Sequence, residues 1–343
     1  MIDSLLTIKL NIPPVPPKFV PRQRLIHRLD AGLDRKFTLV SAPTGFGKTT
    51  LLSEWVSAVG PPAAWVALDR GDNDPARFWA YVVTALQRVR PGTGQNLLAA
   101  IQSPPPLLIG PPLTNLINEL ADDPAPFILV LDDYHVITAQ QVNDAMICLV
   151  ENLPPPMHLV ISSRTDPSWP LARLRTRRQM TELRIRDLSF TPDEAATFLN
   201  DVMGLQLSPD DVATLDDRTE GWVAGLQLAA LSMQGRDDTA AFIAAFSGSH
   251  RFVVDYLIEE VLDRQPEPTE TFLLQTSILE RMTGPLCDAV TCREDGQRQL
   301  VMLERANLFV VPLDDERRWY RYHHLFADLL RSRLEMMEGE AVA

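Results

Sequence analysis

The chain is short of the features that mark several whole classes of protein. Its three cysteines, Cys148, Cys287 and Cys292, form no C-x-x-C pair and leave one unpaired. That count supplies no disulfide framework and fits a reducing cytoplasm. No apolar run reaches the roughly 18 residues of a membrane span, and the opening MIDSLLTIKLNIPP lacks the cationic start and apolar core of a signal peptide. Positive charge is also scarce. There are 32 Lys and Arg against 45 Asp and Glu, a net charge of −13, which argues against wrapping nucleic acid by bulk electrostatics. No internal repeat, low-complexity tract or H-E-x-x-H spacing occurs. The expectation is a cytoplasmic protein with no membrane partner.

What is present points to two or three domains, because 343 residues are too many for one compact core. After a proline-rich lead-in, strand and helix signals alternate. FTLVSAP, AAWVALD, FILVLDD and MHLVISSR read as strands, and their near-continuous apolar runs suit a parallel sheet covered on both faces. Helical spacing follows in KTTLLSEWVSAVG. In DNDPARFWAYVVTAL, Asp74 is placed to cap a helix that Pro75 begins. RPGTGQNLLAAIQSPPPLLIGPP has no clear period and reads as a loop. From about Leu188 the strands give way to helices, starting at Thr191, Pro192 and Glu194. Near the end, NLFVVPL and WYRYH flank the polar turn DDERR, a hairpin signal. Helices, a two-stranded wing and a closing amphipathic helix make a winged-helix pattern.

The chemistry is concentrated in APTGFGKTT, residues 42–50, which follows a strand and opens a helix. That context suits a P-loop. In the stretch Thr44, Gly45, Phe46, Gly47, the glycines let the backbone turn so that successive N–H groups face a phosphate, and the helix N-terminus favours the anion. Lys48 would reach the β- and γ-phosphates, and the hydroxyl of Thr49, followed by Thr50, would hold Mg²⁺. Ala42 stands where the usual pattern has its first glycine. FILVLDDYH would complete the site. Asp132, at the carboxyl edge of the sheet, can hold Mg²⁺ through water, and Asp133 is a candidate for polarising the attacking water. Arg164, after Ser162 and Ser163, is placed to read a γ-phosphate.

FVPRQRL, SAPTGFGKTTLLSEW, LDDYHVI, HLVISSR, TEGWVAGLQLAA and YRYHHLF, in that order, together resemble the ATPase module of MalT-type regulators of the LuxR family. These are STAND-class signal-transduction ATPases, related to NB-ARC modules. The resemblance implies an α/β P-loop NTPase domain over 1–187, a helical lid over 188–245 and a winged helix over 246–343. It further implies an ATP/ADP-dependent switch with slow hydrolysis, a closed ADP-bound resting state, and self-association in the ATP state. Arg22 or Arg24 resembles the segment beside the adenine. GLQLA resembles the lid motif, with Gln227 where relatives carry a proline against the base. YHHLF aligns His323 with a nucleotide-contacting histidine and His324 with an aspartate. Members continue into a helical-repeat sensor and a DNA-reading helix-turn-helix. The chain ends at Ala343 with neither, so the resemblance implies a piece of a longer regulator that meets inducer and DNA through other domains.

Two readings compete with a switch. A metabolic P-loop kinase would need a charged substrate lid, whereas the second half is helical and winged. A winged helix that reads DNA unaided would need a basic face. GQRQLVMLERAN and the wing DDERR carry acidic residues beside their arginines, so their footprint is poor. RLRTRRQMTELRIR is the best nucleic-acid candidate, with a solvated face as the plainer account. A metal shared by His323 and His324 fails on geometry, because helix neighbours point about 100° apart.

Overall fold

The computed structural model describes residues 5–102, 110–234 and 239–342. They group into two compact units. The first takes in the described residues of 1–17, 21–42 and 48–187; the second takes in 18–20, 43–47 and those of 188–343.

The first unit is built on five parallel strands: β1 Phe37–Ser41, β2 Ala63–Ala67, β3 Phe127–Asp132, β4 Met157–Ser163 and β5 Met180–Leu183. Their order is β2-β3-β4-β1-β5. Every residue of β1, β3 and β4 is buried, which suits their largely apolar runs in a parallel sheet covered on both faces; the buried polar pair Thr38 and His158 satisfies itself at 2.9 Å. The crossovers carry helices Lys48–Ala58, Pro75–Val89, Gln140–Glu151 and Leu171–Thr176. Trp55, Trp65 and Trp79 lie fully inside, each contributing a few kcal/mol through buried area. As expected, the Asp74 side chain caps the helix that starts at Pro75 by accepting from the Arg77 N–H at 2.8 Å.

The stretch read as a loop departs from expectation. Gln95–Gln102 is a helix, and a second runs over Pro111–Asp122. Buried Leu97, Ile101, Leu113 and Leu116 pack into the core. The flanking proline and glycine residues conceal that periodicity. Residues 103–109 of the stretch lie outside the described set. The arginine-rich run passes through β5, the sheet's edge strand, into the short helix Ile185–Leu188. Arg175 pairs with Glu182 at 2.8 Å, Arg173 with Glu151 at 2.7 Å, and Arg184 with both Asp166 and Glu182. Much of its charge is thus spent on neighbouring carboxylates.

The second unit starts with helix Pro192–Thr197, closed by the reciprocal Thr191–Glu194 cap that the sequence announces. Helices Pro209–Thr219 and Val223–Met233 follow, joined by a corner in which Glu220 (φ 52°) and Gly221 (φ 70°) are left-handed. After Arg251–Leu257 come Glu267–Thr276, Gly284–Thr291 and Gly296–Arg305, the antiparallel pair β6 Val310–Pro312 and β7 Tyr320–Tyr322, and the last helix, His324–Val342. Asp314 shapes the wing turn by accepting from the N–H groups of Arg318 (2.9 Å) and Trp319 (3.0 Å). Leu325, Phe326, Leu329 and Leu330 bury one side of the closing helix. Helix Gly284–Thr291 has no counterpart among the expected elements, because it spans 8 residues and opens on Gly-Pro, a turn signal.

Among the described residues, no helix is long and apolar enough to cross a membrane, and no cluster of three or more His, Cys, Asp or Glu could hold a metal.

Candidate functional site

In the first unit the carboxyl edge of the sheet gathers the polar groups that the sequence singles out. β4 lies between β1 and β3, so the end of β1 and Asp132 at the end of β3 flank Ser162 and Ser163. Helix Lys48–Ala58 starts at the same edge. Thr49 Oγ1 donates to Asp132 Oδ2 at 3.0 Å, and Ser162 Oγ donates to Asp132 Oδ1. The same Ser162 oxygen accepts the Asp133 N–H at 2.9 Å. Ser162 therefore orients both carboxylate residues, a role its position in VISSR did not reveal.

Lys48 is buried, and its ammonium folds back to donate to the Ala42 carbonyl at 2.9 Å. Burial lowers its pKa to about 8, with Arg164 acting in the same direction and Asp133 and Asp132 opposing. Asp132 shifts the other way. Burial and the adjacent Asp133 charge raise its pKa, and the Ser162 and Thr49 hydroxyls restrain the rise. Isolated, this edge holds a cation short of solvation beside a carboxylate short of counter-charge. Such a site gains when phosphate and a divalent ion replace the lost water.

Asp133 sits at φ 60° with its side chain half exposed, its Oδ1 3.7 Å from His135 Nδ1. Arg164 is half-buried and close enough to act on Lys48. Of the two candidate arginines, Arg22 is buried and acts on Glu54, in the helix that follows the P-loop. Arg24 is exposed and donates to the Asp187 carbonyl at 2.6 Å. The structure thus separates two residues that the sequence left equivalent.

The loop residues 43–47 pack within the second unit. Gly45 (φ 79°) and Gly47 (φ 72°) occupy the left-handed region, as a phosphate loop requires. At Gly45 there is a further reason for glycine: a Cβ would lie 2.5 Å from the Ala224 Cβ and 2.7 Å from Trp222 Nε1. Trp222 Nε1 donates to the Thr44 carbonyl at 3.0 Å, and the Ala224 N–H donates to the Gly45 carbonyl at 3.0 Å. The Thr44 and Tyr256 hydroxyls are 2.9 Å apart. Phe46 is buried and faces Phe309. Thr50 is half-buried in the helix behind the loop. Gln227 is exposed, one turn beyond Ala224 on the same helix, so it shares the side that meets Gly45.

His323 is buried against Trp222 and Phe309, with Nε2 2.8 Å from the Thr219 carbonyl. A carbonyl only accepts, so Nε2 carries the proton and Nδ1 presents a lone pair with no hydrogen-bond partner. Burial lowers the pKa of this imidazole, with Glu220 and the Thr219 carbonyl opposing. His324 is exposed; its N–H donates to Glu220 at 3.0 Å. Trp222, Ala224, Tyr256 and Glu220 were not singled out from sequence as site residues. The signal that could have found three of them, Glu220, Trp222 and Ala224, is TEGWVAG, where an aromatic follows a corner at glycine.

Thr49 and Asp132 form a hard-oxygen pair suited to Mg²⁺, and the left-handed glycines with buried Lys48 suit a polyphosphate. The residues fit both groups. Two of the winged-helix arginines are engaged by neighbouring carboxylates: Arg293 pairs with Asp295 at 2.7 Å and Arg317 with Glu304 at 3.0 Å.

Comparison with known proteins shows what the chain is similar to. Residues 258–342 match the MalT winged helix domain family. The HTH-type transcriptional regulator MalT of Klebsiella pneumoniae is 36% identical over 338 residues, covering 96% of this chain and 37% of that protein. The MalT of Yersinia enterocolitica is 35% identical over 335 residues, with the same coverage, 96% and 37%. The chain thus spans little more than a third of the length of these relatives. Among solved structures, a Walker-type ATPase of Pyrococcus abyssi superposes with a TM-score of 0.62 at 14% identity, covering 94% of this chain and 100% of that one. That likeness speaks for the fold.

Proposed function

Residues 258–342 belong to the MalT winged helix domain family, in a chain homologous to MalT regulators over 96% of its length, and from that premise we propose that the chain is the nucleotide-driven switch of a transcription regulator. It binds ADP and ATP with Mg²⁺ at the P-loop, rests with ADP, hydrolyses ATP slowly as a reset, and self-associates in the ATP state. Its setting is the cytoplasm, and inducer and DNA are met by domains outside these residues. The proposed parts are a nucleotide-binding domain over 1–187, a helical lid over 188–245 and a winged helix over 246–343.

The observation that carries this reading is the buried Lys48, folded onto the Ala42 carbonyl beside Asp132 and Thr49. A lysine held at a pKa near 8 by desolvation is costly to keep. A bound polyphosphate would offset that cost by restoring its solvation. Lys48 would bind the β- and γ-phosphates, with the N–H groups of residues 44–50 around them. Thr49 and Asp132 would hold Mg²⁺, which when bound neutralises phosphate oxygens. Asp133 would orient and polarise the attacking water, and Arg164 would meet the γ-phosphate. Arg22, buried as it is, suits the adenine side better than exposed Arg24, and Gln227 and His323 complete the contacts.

Two measurements test the reading. Nucleotide released from purified protein by denaturation should be ADP, identified by chromatography. Added ATP should turn over slowly, with product retained. Rapid turnover stimulated by a small-molecule acceptor would replace the switch by a kinase.

A further inference from the structure

One short corner of the second unit holds both the P-loop segment and the wing. On one side, Trp222 Nε1 donates to the Thr44 carbonyl and the Ala224 N–H to the Gly45 carbonyl, each at 3.0 Å. On the other, the Glu220 carboxylate takes both terminal nitrogens of Arg321, in β7, at 2.8 and 2.7 Å, and the His324 N–H at 3.0 Å. The Thr219 carbonyl accepts from His323 at 2.8 Å. The corner's own geometry is tightly constrained. Glu220 at φ 52° is a non-glycine residue in the left-handed region. Gly221 at φ 70° could not accept a Cβ, which would fall 2.5 Å from the Phe190 carbonyl oxygen. Trp222 is fully buried, edge-on to Phe309 and His323.

We propose that the corner Thr219–Ala224 is the transmission element of the switch, with Trp222 positioning the P-loop and the Glu220–Arg321 pair reporting the loop's state to the wing. This rests on the nucleotide reading of the P-loop and names how that site is regulated. The physical case is one of shared backbone. Residues 219–224 have no slack: two left-handed residues and a buried indole fix the path between two helices. Movement of the Thr44 and Gly45 carbonyls, when the loop closes on phosphate, pulls on Trp222 and Ala224. In this scheme the corner answers by a rotation at Glu220, which misaligns a bidentate pair whose strength depends on planar geometry. A pair on a rigid scaffold with two arrangements is what a coupling element requires. Neither Trp222 nor Arg321 is a catalytic residue in this scheme; both act through the loop.

The test is a double-mutant cycle on the full chain, read as the stopped-flow release rate of a fluorescent ADP analogue beside the melting temperature. Trp222→Phe keeps an aromatic ring and removes the indole N–H; Arg321→Gln removes the bidentate partner. Each single variant should release ADP faster. The double variant should fall short of the product of the two factors by about threefold or more, since residues acting through one element are non-additive. Arg321→Lys, which keeps charge without the fork, should lie between wild type and Arg321→Gln in release rate. If Arg321→Gln does not fold, Glu220→Gln opens the same pair from its other side and takes its place in the cycle. Multiplying factors would overturn the inference, as would release rates that follow melting temperature alone. Those outcomes leave nucleotide binding standing. A wild-type chain that binds no ADP overturns the nucleotide reading, and this inference with it.

Discussion

Thr49 donates its hydroxyl hydrogen to Asp132 across 3.0 Å, joining the end of the P-loop to the end of β3. Asp132 takes a second hydroxyl from Ser162, so its carboxylate is held in place before any cation arrives. Asp132→Asn keeps the shape and removes the charge. Binding of ADP without Mg²⁺ should change little, whereas the gain in affinity on adding Mg²⁺ should shrink by roughly tenfold or more, the scale of one charge-assisted contact. Calorimetric titration with and without Mg²⁺ checks this; an unchanged gain would remove Asp132 from the metal site.

Lys48 should show opposite effects with and without ligand. Its folded pKa, about 8, lies below the ordinary 10.5. The unfolded chain therefore binds more protons between those values, and stability should rise as pH climbs through that window. Lys48→Met removes the rise and relieves up to about 3 kcal/mol of desolvation at neutral pH. The same variant should lose the nucleotide's stabilisation, ~2.7 kcal/mol at a hundred times the dissociation constant. Denaturant titrations at several pH values, with and without ADP, measure both. A stabilised variant that still responds to ADP would contradict the P-loop assignment.

Asp133 concerns chemistry rather than binding. Its left-handed backbone, φ 60°, is one that asparagine also tolerates, and its N–H contact with Ser162 is independent of the side chain. Asp133→Asn should bind ATP as wild type does and hydrolyse it at least tenfold more slowly, the lower range for losing a general base being about a hundredfold. Single-turnover hydrolysis is the measurement. Equal rates would move the water-orienting role elsewhere.

Much of this site is legible in sequence because its parts are local. Lys48 and Thr49 follow from GKTT after a strand, and Asp132 from an apolar run that ends in acid. β1, β3 and β4 are visible because burial on both faces leaves them largely apolar up to their carboxyl ends. Local pattern fails at Trp222 and Gly45, which lie far apart in sequence and meet within the second unit. Nothing near Gly45 says that a Cβ would strike Ala224. Helix Gln95–Gln102 is hidden for a local reason, lying between Pro-Gly and a proline run. The choice between Arg22 and Arg24 rests on burial, which two arginines separated by one residue do not reveal.

Glu220 should govern an acid limb of stability. Burial alone would raise its pKa, yet the Arg321 pair, His323 and the His324 N–H bring it down to about 2, against the ordinary 4.5. A depressed carboxylate contributes stability that is fully present above 4.5 and is lost as pH falls toward 2. Glu220→Gln should be less stable than wild type at pH 6 and converge with it as pH drops through that window. Urea melts across pH 6 to 3 provide the readout. Parallel curves would mean that the ion pair contributes nothing net.

His323 is the last test. Nε2 is committed to the Thr219 carbonyl, so Nδ1 is an acceptor until it takes a second proton. The chain on its own opposes that proton: burial lowers the pKa, and Arg321 and His324 act with it against Glu220 and the Thr219 carbonyl. Without nucleotide, the depressed pKa means that stability is present above about 6.5, the ordinary value, and falls as pH drops below it. A phosphate near Nδ1 would reverse the balance, because only the doubly protonated ring can donate to it. ADP should therefore be held more tightly at pH 6 than at pH 8 by an increment that His323→Gln abolishes, since glutamine can serve the Thr219 carbonyl but cannot titrate. One charge-assisted bond is worth ~1.5–3 kcal/mol, and reversing a two-state switch from 1:99 to 99:1 takes ~5.5 kcal/mol. His323→Ala should thus speed ADP release and enlarge the open population without emptying the closed one. Release rates for wild type, His323→Gln and His323→Ala at pH 6 and pH 8 decide the matter. A pH increment that survives in His323→Gln would assign the proton to another group and leave His323 as packing between Trp222 and Phe309.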